Sequence, residues 1–370
     1  VGSSEDSFAP AALSRYCRAR LRYPAPGNGA ANFCESVLRF VRQKRINLVI
    51  PMTDSTLQPL SSHRDWFRGH AQLALGPHEA LELFSDKYRT IRVARELGIP
   101  VPETRLVRSI EDLASIRQWA FPIVLKDRFS TRWIDHKAVS GSVAYAYSRD
   151  ELISMVRQKL ARTGDVLIQK FVSGIGVGFS CFASGEDIHI PFQWERVREK
   201  DPRGSGSSAR KSVALNPKVL KLSQALITRA GFQGISMVEL KKERRTGALT
   251  LMEVNGRPWG SLQLPIHCGI NYPYHLIKWL LEGQSPPKWV NYKQGIICRW
   301  LVADLIHPEN ILEGKPAGWP AVYPNFLNNL LKVSVPWQPG LRYDHISLRD
   351  LRPGLADVVM WFRSRFGGRR

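Results

Sequence analysis

The sequence predicts a mixed α/β (α+β) fold with several lobes, and two observations carry that prediction. Residues 32–44 have the apolar spacing of a helix and precede a short apolar strand at 46–51, which is typical of a strand–helix unit on a parallel sheet. Residues 235–241 and 249–254 are two apolar strands joined by a polar turn, which indicates an antiparallel hairpin. With 370 residues and 44% hydrophobic content, the chain can bury one large core or two to three smaller ones.

The N-terminal region, residues 1–99, is predicted to be an α/β domain built on the parallel sheet. Residues 52–56 follow its strand and are expected to form a loop. A helix is predicted from Asp86 to Leu97, because a capping residue precedes it and glycine and proline follow it. The chain starts at Val1 without a full first strand and helix, so we expect either an unusual start or residues that precede it.

Residues 100–172 are predicted to form a small lobe after a stiff connector made by Pro100 and Pro102. The expected elements are the strand 104–108, the helix 110–119, the strand 122–126, the loop 127–140, the strand 143–147, the helix 149–161 and the strand 166–172.

Residues 173–284 are predicted to form a large lobe. Beside the hairpin 235–254, its expected elements are a hairpin of 179–182 and 188–194, a mobile Gly/Ser-rich loop at 201–212, a helix at 217–230 and a helix at 274–282.

Residues 285–370 are a Pro- and Trp-rich C-terminal extension that ends in a basic amphipathic segment, 355–366. One face of that segment is predicted to carry Leu355, Val358, Val359, Phe362 and Phe366, with Arg363, Arg365, Arg369 and Arg370 nearby. Such a face predicts either a helix packed on the protein body or peripheral contact with an anionic membrane.

Charge and cysteine content narrow the function classes. A net charge of +21 suits contact with polyanions, anionic membranes or negatively charged substrates, or simply a basic surface. No run of five or six basic residues occurs, which argues against a dedicated nucleic-acid arm.

The apolar runs are too short to span a bilayer. Five scattered cysteines without a Cys-x-x-Cys pair argue against structural zinc and a disulfide framework, and favour a cytoplasmic location.

A pair of acidic residues is the strongest chemical signal. Glu239 and Glu253 lie on the two predicted strands of one hairpin, and their midpoint, Thr246, falls in the turn. A symmetric hairpin therefore places them opposite each other, with Cβ atoms ~5 Å apart. Asn255 projects from the same face as Glu253, and two carboxylates with an amide oxygen suit Mg²⁺. Arg257 follows and is placed to touch a phosphate. The alternative is an exposed hairpin face whose acids are neutralised by Lys241, Lys242 or Arg244.

Two lysines point to an anion. Lys126 ends an apolar strand, which aims a positive charge from a buried element. Lys87 stands in the first turn of its helix, where the helix dipole disfavours a cation. The alternative for Lys126 is an ordinary lysine at a strand end.

Several familiar motifs are absent or incomplete. The stretch 174–178 lacks Gly-x-Gly-x-x-Gly spacing, and the stretch 204–212 lacks the two glycines of a Walker A loop. The latter is expected to be either a lid over an anionic substrate or a plain surface loop. The histidines lack zinc-binding spacing, and no Gly-x-Ser-x-Gly elbow is present.

The order of these pieces resembles the ATP-grasp superfamily, and within it the carbamoyl-phosphate-synthetase-like carboxylate–amine ligases. The resemblance runs from about residue 46 to residue 283. The matching motifs are Ser85-Asp-Lys87, Gly98-Ile-Pro-Val-Pro102, Pro122-Ile-Val-Leu-Lys126, Val166-Leu-Ile-Gln-Lys-Phe-Val172, Met237-Val-Glu239 and Met252-Glu-Val-Asn-Gly-Arg257. The resemblance implies an ATP-grasp fold: a pre-ATP-grasp domain in residues 1–99, a two-lobed ATP-binding core, and the C-terminal extension.

The resemblance also implies roles for individual residues. Lys87 and Lys126 would hold the ATP phosphates, and Arg257 would steady the γ-phosphate and the intermediate. The loop that ends near Ser142 would fold over the phosphates. A hinge would read adenine through Gln169, Lys170, Phe171 and Val172. Mg²⁺, or Mn²⁺ in its place, would be held by Glu239, Glu253 and Asn255.

The sequence departs from the family pattern at three places. Gly176 stands where many members carry a ribose-binding glutamate, and Gly256 stands where proline is usual. The phosphate loop carries Trp133, Asp135 and His136 in place of glycines.

The function expected from this sequence is that of an ATP- and Mg²⁺-dependent ligase, which activates a carboxylate as an acyl-phosphate and joins it to an amine. ADP and phosphate are the by-products. Candidate substrate-binding residues are Arg196, Arg198, Arg210, Trp259 and Ser261. One alternative is an ATP-grasp kinase that phosphorylates a small molecule. Another is a basic polyanion- or membrane-binding protein with a vestigial nucleotide site. An oligomer is compatible with each function.

Overall fold

The structure, a computed structural model, describes residues 1–4, 9–116, 118–134 and 137–366. Its first region contains the strands and helices β1 (Gly2–Ser4), β2 (Leu21–Tyr23), α1 (Ala30–Lys44), β3 (Leu48–Val49), α2 (Asp54–Ser62), β4 (Gln72–Leu73), α3 (His78–Ser85) and α4 (Lys87–Glu96). The strands β1 and β2 pair in parallel, as do β3 and β4. The predicted helix and the short strand after it are found as α1 and β3, and the parallel pairing of β3 with β4 confirms the expected parallel sheet.

The two helices that border the later site have clear local signals. Asp86 accepts hydrogen bonds from the backbone N–H groups of Tyr88 and Arg89 and caps α4, as predicted. The expectation of a loop over 52–56 is wrong in its second half, because α2 begins at Asp54. Thr53 stands at the N-cap, and its backbone N–H donates to Thr56 Oγ1.

The small lobe contains β5 (Thr104–Val107), β6 (Ile123–Lys126), β7 (Thr131–Ile134), β8 (Lys137–Ser140), β9 (Val143–Ala146), α5 (Arg149–Thr163) and β10 (Val166–Lys170). An antiparallel sheet runs in the order β5–β10–β6–β9. The predicted loop 127–140 contains the hairpin β7–β8, and the predicted helix 110–119 is a short 3₁₀ helix, Glu111–Ile116. Asp135 and His136 lie outside the described residues.

The large lobe contains β11 (Ile175–Ser184), β12 (Asp187–Glu199), β13 (Ser207–Ser212), α6 (Pro217–Arg229), β14 (Gly234–Lys242), β15 (Leu249–Asn255), α7 (Gln263–Cys268) and α8 (Tyr272–Glu282). Most of the stretch 174–178 lies inside β11, and the predicted loop 201–212 ends in β13. β13 was not predicted because five of its six residues are polar, although four of the six are buried.

The C-terminal extension contains β16 (Ile297–Arg299), α9 (Leu301–Leu312), α10 (Phe326–Ser334), β17 (Leu341–Tyr343) and α11 (Arg352–Phe366). Its strands complete a seven-stranded sheet in the order β15–β14–β11–β12–β13–β16–β17. Every pair in this sheet is antiparallel except β16 with β17. The extension therefore shares one sheet with the large lobe.

The tail helix α11 packs against α9 and the turn Pro10–Leu13. Leu355, Val359 and Phe362 nevertheless keep about half of their surface exposed. Arg369 and Arg370 lie outside the described residues, as does the side chain of Phe366. In the described part of the chain, no helix combines the length and apolar character needed to cross a bilayer. Peripheral contact of α11 with a membrane stays a prediction.

The large sheet is buried on both faces. One face carries Phe179, Val238 and Leu251, and it packs against Phe84 and Ile99 of the first region. The opposite face is covered by α7, α8 and an aromatic cluster that includes Phe182, Phe192, Trp194, Trp259 and Tyr272. The small lobe has a core of its own. These cores leave an open space between the small-lobe sheet and the first strands of the large sheet.

Candidate active site

A cavity of about 540 Å³ lies between the two lobes. Strands β6, β9 and β10 and residues 171–172 line it from the small lobe. The large lobe contributes strands β11, β12, β14 and β15 and the segment 199–206. The lining residues are Val124, Lys126, Val143, Tyr145, Gln169, Lys170, Phe171, Val172, Gly176, Arg196, Glu199, Asp201, Gly204, Ser205, Gly206, Glu239, Leu240, Lys241, Met252 and Glu253.

A second cavity, of about 620 Å³, lies between α2, α3 and the turn from β6 to β7. Its cations Arg128 and Arg132 already pair with Asp165, and Arg128 also pairs with Asp86. The first cavity combines facing carboxylates with buried cations, so we take it as the candidate site.

The acidic pair is arranged as the hairpin symmetry predicts. Glu239 of β14 and Glu253 of β15 are directly paired across the two strands, with a bulge immediately after Glu239. Asn255 Nδ2 donates to Glu253 Oε1 over 3.0 Å, which gathers the amide and the carboxylate on one face. Burial raises the pKa of Glu239, and the nearby Glu253 raises it further, while Arg196 opposes the rise.

This set fits a hard divalent cation. Among the described residues, no cluster of three His, Cys, Asp or Glu side chains is placed to hold a metal ion. Two carboxylates and one amide oxygen would leave the remaining positions of an octahedral shell to water and phosphate oxygens. That ligand set is the one that Mg²⁺ takes beside a nucleotide.

Two lysines face the same acidic pair. Lys126 is the last residue of β6, and burial lowers its pKa to about 8, although Glu253 attracts the charged form. Lys87 stands at the start of α4, and burial lowers its pKa as well, against the attraction of Glu253 and Asp54. Lys87 Nζ donates to Ser130 Oγ over 2.9 Å, just before β7. Both cations have been moved out of water beside carboxylates, which is the environment of a phosphate-binding site.

The predicted hinge residues line the cavity, and three of their side chains have partners elsewhere in the chain. The Gln169 side chain is buried and donates to Thr104 Oγ1, and Lys170 Nζ pairs with Glu103 Oε2 at 2.6 Å. The Phe171 ring contacts Trp319 of the extension. Lys241 Nζ reaches the Val172 carbonyl oxygen at 2.8 Å and lies 5.2 Å from the centre of the Phe171 ring.

Of the three arginines predicted to bind substrate, Arg196 lines the cavity, and Arg198 and Arg210 do not. Arg196 bonds both oxygens of Glu239, whereas Arg198 pairs with the buried Asp304. Arg210 is buried and pairs with Asp344. Arg198 and Arg210 therefore hold the large sheet to the extension, and the structure does not bring them to the site.

Five further predicted residues do not line the cavity: Lys87 and Asn255, described above, and Arg257, Trp259 and Ser261. Arg257 binds both oxygens of Asp54 at 2.8 Å, which ties the end of β15 to the start of α2. Trp259 is buried and stacks on Trp194, so it belongs to the core. Ser261 is half-buried outside the lining.

The predicted phosphate-loop residue Ser142 anchors the base of the β7–β8 hairpin. Its backbone N–H and hydroxyl both bond Asp127 Oδ2, and Lys159 Nζ donates to its hydroxyl at 2.8 Å. Arg162 also reaches Asp127 at 2.6 Å. Ser142 is thus bound within this network and does not line the cavity.

Some residues of the site were not predicted from the sequence. Tyr145 and the acids Glu199 and Asp201 line the cavity, and Trp319 covers the hinge. Lys241 was expected only to neutralise the acids of an exposed hairpin face. Its two-residue spacing from Glu239 on one strand nevertheless places both side chains on the same face of the sheet. No local pattern marks Trp319, which is about 150 residues from the hinge in sequence.

Comparisons of sequence agree with this geometry. Residues 181–303 match the sequence model of a family described as "ATP-grasp in the biosynthetic pathway with Ter operon". The chain is 25% identical over 179 residues, 47% of its length, to the carbamoyl phosphate synthase large chain of Rubrobacter xylanophilus, and covers 16% of that protein. The large chain of Methanothermobacter thermautotrophicus is 23% identical over 178 residues, again 47% of this chain, and is covered to 15%. The match thus spans about a sixth of these relatives.

Solved structures share the fold. An L-amino acid ligase from Bacillus licheniformis has a TM-score of 0.53 at 17% identity, with 72% of this chain and 66% of that chain covered. A biotin carboxylase–β,γ-ATP complex from Campylobacter jejuni has a TM-score of 0.60 at 16% identity, with 80% and 68% covered. An N5-carboxyaminoimidazole ribonucleotide synthetase bound to ADP has a TM-score of 0.55 at 17% identity, with 75% and 70% covered. The matched segment and these structures together show that the chain has the ATP-grasp fold and that its residues 181–303 resemble an ATP-grasp family.

Proposed function

We propose that this chain is an ATP- and Mg²⁺-dependent ligase that activates a carboxylate as an acyl-phosphate and joins it to an amine. The observation that carries the proposal is the direct pairing of Glu239 with Glu253 in a cavity that the half-buried cation Lys126 also lines. Like charges facing each other need positive partners. Arg196 pairs with Glu239, and a magnesium nucleotide would supply a further positive charge at Glu253.

The chain's own residues would bind and position the reactants. Lys126 and Lys87 would hold the phosphates, and the backbone at 170–172 would read adenine, because the side chains of Gln169 and Lys170 are bound elsewhere. Magnesium held by Glu239, Glu253 and Asn255 would neutralise phosphate charge. Arg257 stands two residues beyond Asn255 and would face the γ-phosphate while Asp54 orients its guanidinium.

The chemistry needs no nucleophile from the protein. A carboxylate oxygen of the substrate attacks the γ-phosphorus, and the bond to the β-phosphate oxygen breaks to release ADP. The amine nitrogen then attacks the acyl carbon, loses a proton and expels phosphate. Catalysis of this kind rests on positioning and on charge stabilisation, which the cavity's fixed cations can supply.

The choice of a carboxylate and an amine is supported by the fold neighbours, one of which is an L-amino acid ligase. The free thiols of the five cysteines and the use of ATP support a cytoplasmic location.

A screen of ADP and phosphate release over amino acids and small carboxylates tests the proposal. We expect release only when a carboxylate and an amine are both present, with an amide as product. A stable phosphoester without an amine requirement would instead identify the alternative, an ATP-grasp kinase. Tight, salt-sensitive polyanion binding without any ATP turnover would identify a binding protein with a vestigial site.

Glu253→Gln separates the metal role from general stability. We expect this variant to lose at least about 100-fold in turnover while keeping its fold, because the amide cannot carry the charge that balances a divalent cation. Glu195→Gln is the matched control, since Glu195 lies on the same sheet outside the cavity lining and pairs with Lys242. Normal turnover in Glu253→Gln would contradict the metal assignment.

A further inference from the structure

Glu239 is already paired with a cationic side chain of the same protein, Arg196. Arg196 Nη2 donates to Glu239 Oε1 and Oε2, each at 2.7 Å, so both carboxylate oxygens are engaged by one guanidinium. An arginine guanidinium stays charged in proteins, so this contact is an ion pair.

Arg196 is held from several sides. Its Nη1 donates to Glu199 Oε1 at 3.0 Å and to the Ser205 carbonyl oxygen at 2.8 Å. Only 16% of its side-chain surface is exposed. Moving this group away from Glu239 would also break its bonds to the Glu199 carboxylate and the Ser205 carbonyl.

The space for Arg196 is provided by the strand beside it. A Cβ atom at Gly176 would lie 2.3 Å from Arg196 Cδ and 2.9 Å from its Cγ and Nε. A side chain at position 176 and the present placement of Arg196 are therefore mutually exclusive. Glycine inside a strand destabilises the strand, and here its lack of a side chain allows Arg196 to lie close to the backbone.

Glu253 is placed differently. Among the hydrogen bonds of the described residues, its carboxylate accepts from the amide of Asn255, and the facing lysines Lys126 and Lys87 remain near it. The two acids of the pair thus have different partners: a guanidinium that occupies Glu239, and an amide that shares its face with Glu253.

We infer that Arg196 takes the place of one of the two divalent cations that a pair of opposed carboxylates could hold. Of the three metal ligands proposed above, only Glu253 and Asn255 then hold the single metal ion, while Arg196 supplies the second positive charge at Glu239. A divalent ion on the oxygens of Glu239 would stand beside a buried guanidinium, and like charges in a site of low dielectric repel strongly. This inference rests on the proposed function, because it concerns the metal count of the nucleotide complex.

Metal counting tests the inference directly. The full chain is saturated with a non-hydrolysable ATP analogue and titrated with Mn²⁺, and bound Mn²⁺ is measured by electron paramagnetic resonance. We expect about one Mn²⁺ per bound nucleotide in the wild type. In Arg196→Met, which keeps the packing of the side-chain stem but removes the charge, we expect about two. Lys242→Met removes a cation that pairs with Glu195 outside the cavity, and should leave the count at one.

Gly176→Ala gives an independent approach if Arg196→Met does not fold. Its added methyl group displaces Arg196 from Glu239 without removing any charge from the chain, and a second Mn²⁺ should again bind. Two Mn²⁺ per nucleotide in the wild type would overturn the inference and leave the ligase proposal standing. A count that stays at one in both variants would overturn it as well. Failure of the wild type to bind nucleotide, measured separately by calorimetry, would overturn both.

Discussion

Lys126 is a residue at which burial and charge oppose each other. Burial lowers its pKa to about 8, and Lys87 and Lys241 lower it further, while Glu253 and Glu239 favour the charged form. The charged lysine is needed to hold a phosphate, yet it is costly when the cavity is empty. A bound nucleotide removes that cost, so the residue favours the occupied state.

The pH dependence of nucleotide binding follows from that pKa. Below pH 8 Lys126 is charged and binds phosphate; as pH rises through 8 it loses its proton, and affinity should fall by up to about tenfold per pH unit. Because the folded pKa lies below the ordinary value of 10.5, the lysine penalises the folded state below pH 8, and that penalty fades between pH 8 and 10.5.

Calorimetric titration with an ATP analogue between pH 6.5 and 9.5, values chosen to bracket that pKa, measures this dependence. Lys126→Arg, which stays charged, should flatten the profile. Lys278→Arg, on the surface beside Glu282, should leave the wild-type slope unchanged. A wild-type affinity that does not change across pH 8 would exclude Lys126 as the phosphate-binding cation.

Among the elements, the β7–β8 hairpin depends on a buried carboxylate at its base. Asp127 is 5% exposed and binds Ser142, Lys159 and Arg162. Burial would raise its pKa, but the Ser142 and Lys159 bonds outweigh burial and lower it. The hairpin is therefore held at both of its ends by one charged group.

Asp127→Asn should destabilise the protein by about 3 kcal/mol, because it leaves Lys159 buried without its carboxylate. We also expect the KM for ATP to rise if the hairpin covers the phosphates. Chemical denaturation and steady-state kinetics measure the two effects. Asp187→Asn removes an exposed pair with Lys288 and should change stability by less than about 1 kcal/mol. Equal effects of the two substitutions would contradict a special role for Asp127.

At the scale of the whole molecule, the site depends on the docking of the first region onto the large lobe. The pair of Arg257 and Asp54 crosses that contact, and the packing of Phe84 and Ile99 against the large sheet lies behind it. The extension adds β16 and β17 to the same sheet and brings Trp319 to the hinge. The first region and the extension thus pack around a cavity that the two lobes line.

Asp54→Asn tests the docking. It leaves the partly buried Arg257 with a neutral partner, so we expect a loss of about 2 kcal/mol in unfolding free energy and a larger drop in kcat than in nucleotide affinity. Asp65→Asn, which breaks an exposed pair with Arg68, is the control and should have little effect. A normal kcat in Asp54→Asn would show that Arg257 needs no partner to act.

Local spacing was enough to predict a large part of this molecule. The opposition of Glu239 and Glu253 follows from the symmetry of one hairpin, and Lys126 at the cavity follows from an apolar strand that ends in a cation. The helix cap at Asp86 is likewise a short-range feature. Such relations involve residues within about one turn or hairpin of each other, where the backbone period alone places the side chains.

Other features depend on contacts between segments that are distant in the chain. Arg198 and Arg210 are binding candidates by composition, but the tertiary structure gives them Asp304 and Asp344 of the extension as partners. Arg196 binds Glu239, 43 residues away, and only Gly176 on a third strand leaves it room. A charged side chain bonds whichever opposite charge the fold brings nearest, and no spacing in the sequence encodes that choice. The chemistry available to the chain is therefore readable from its residues, whereas the partner of each charge is set by how the lobes, the sheet and the extension pack.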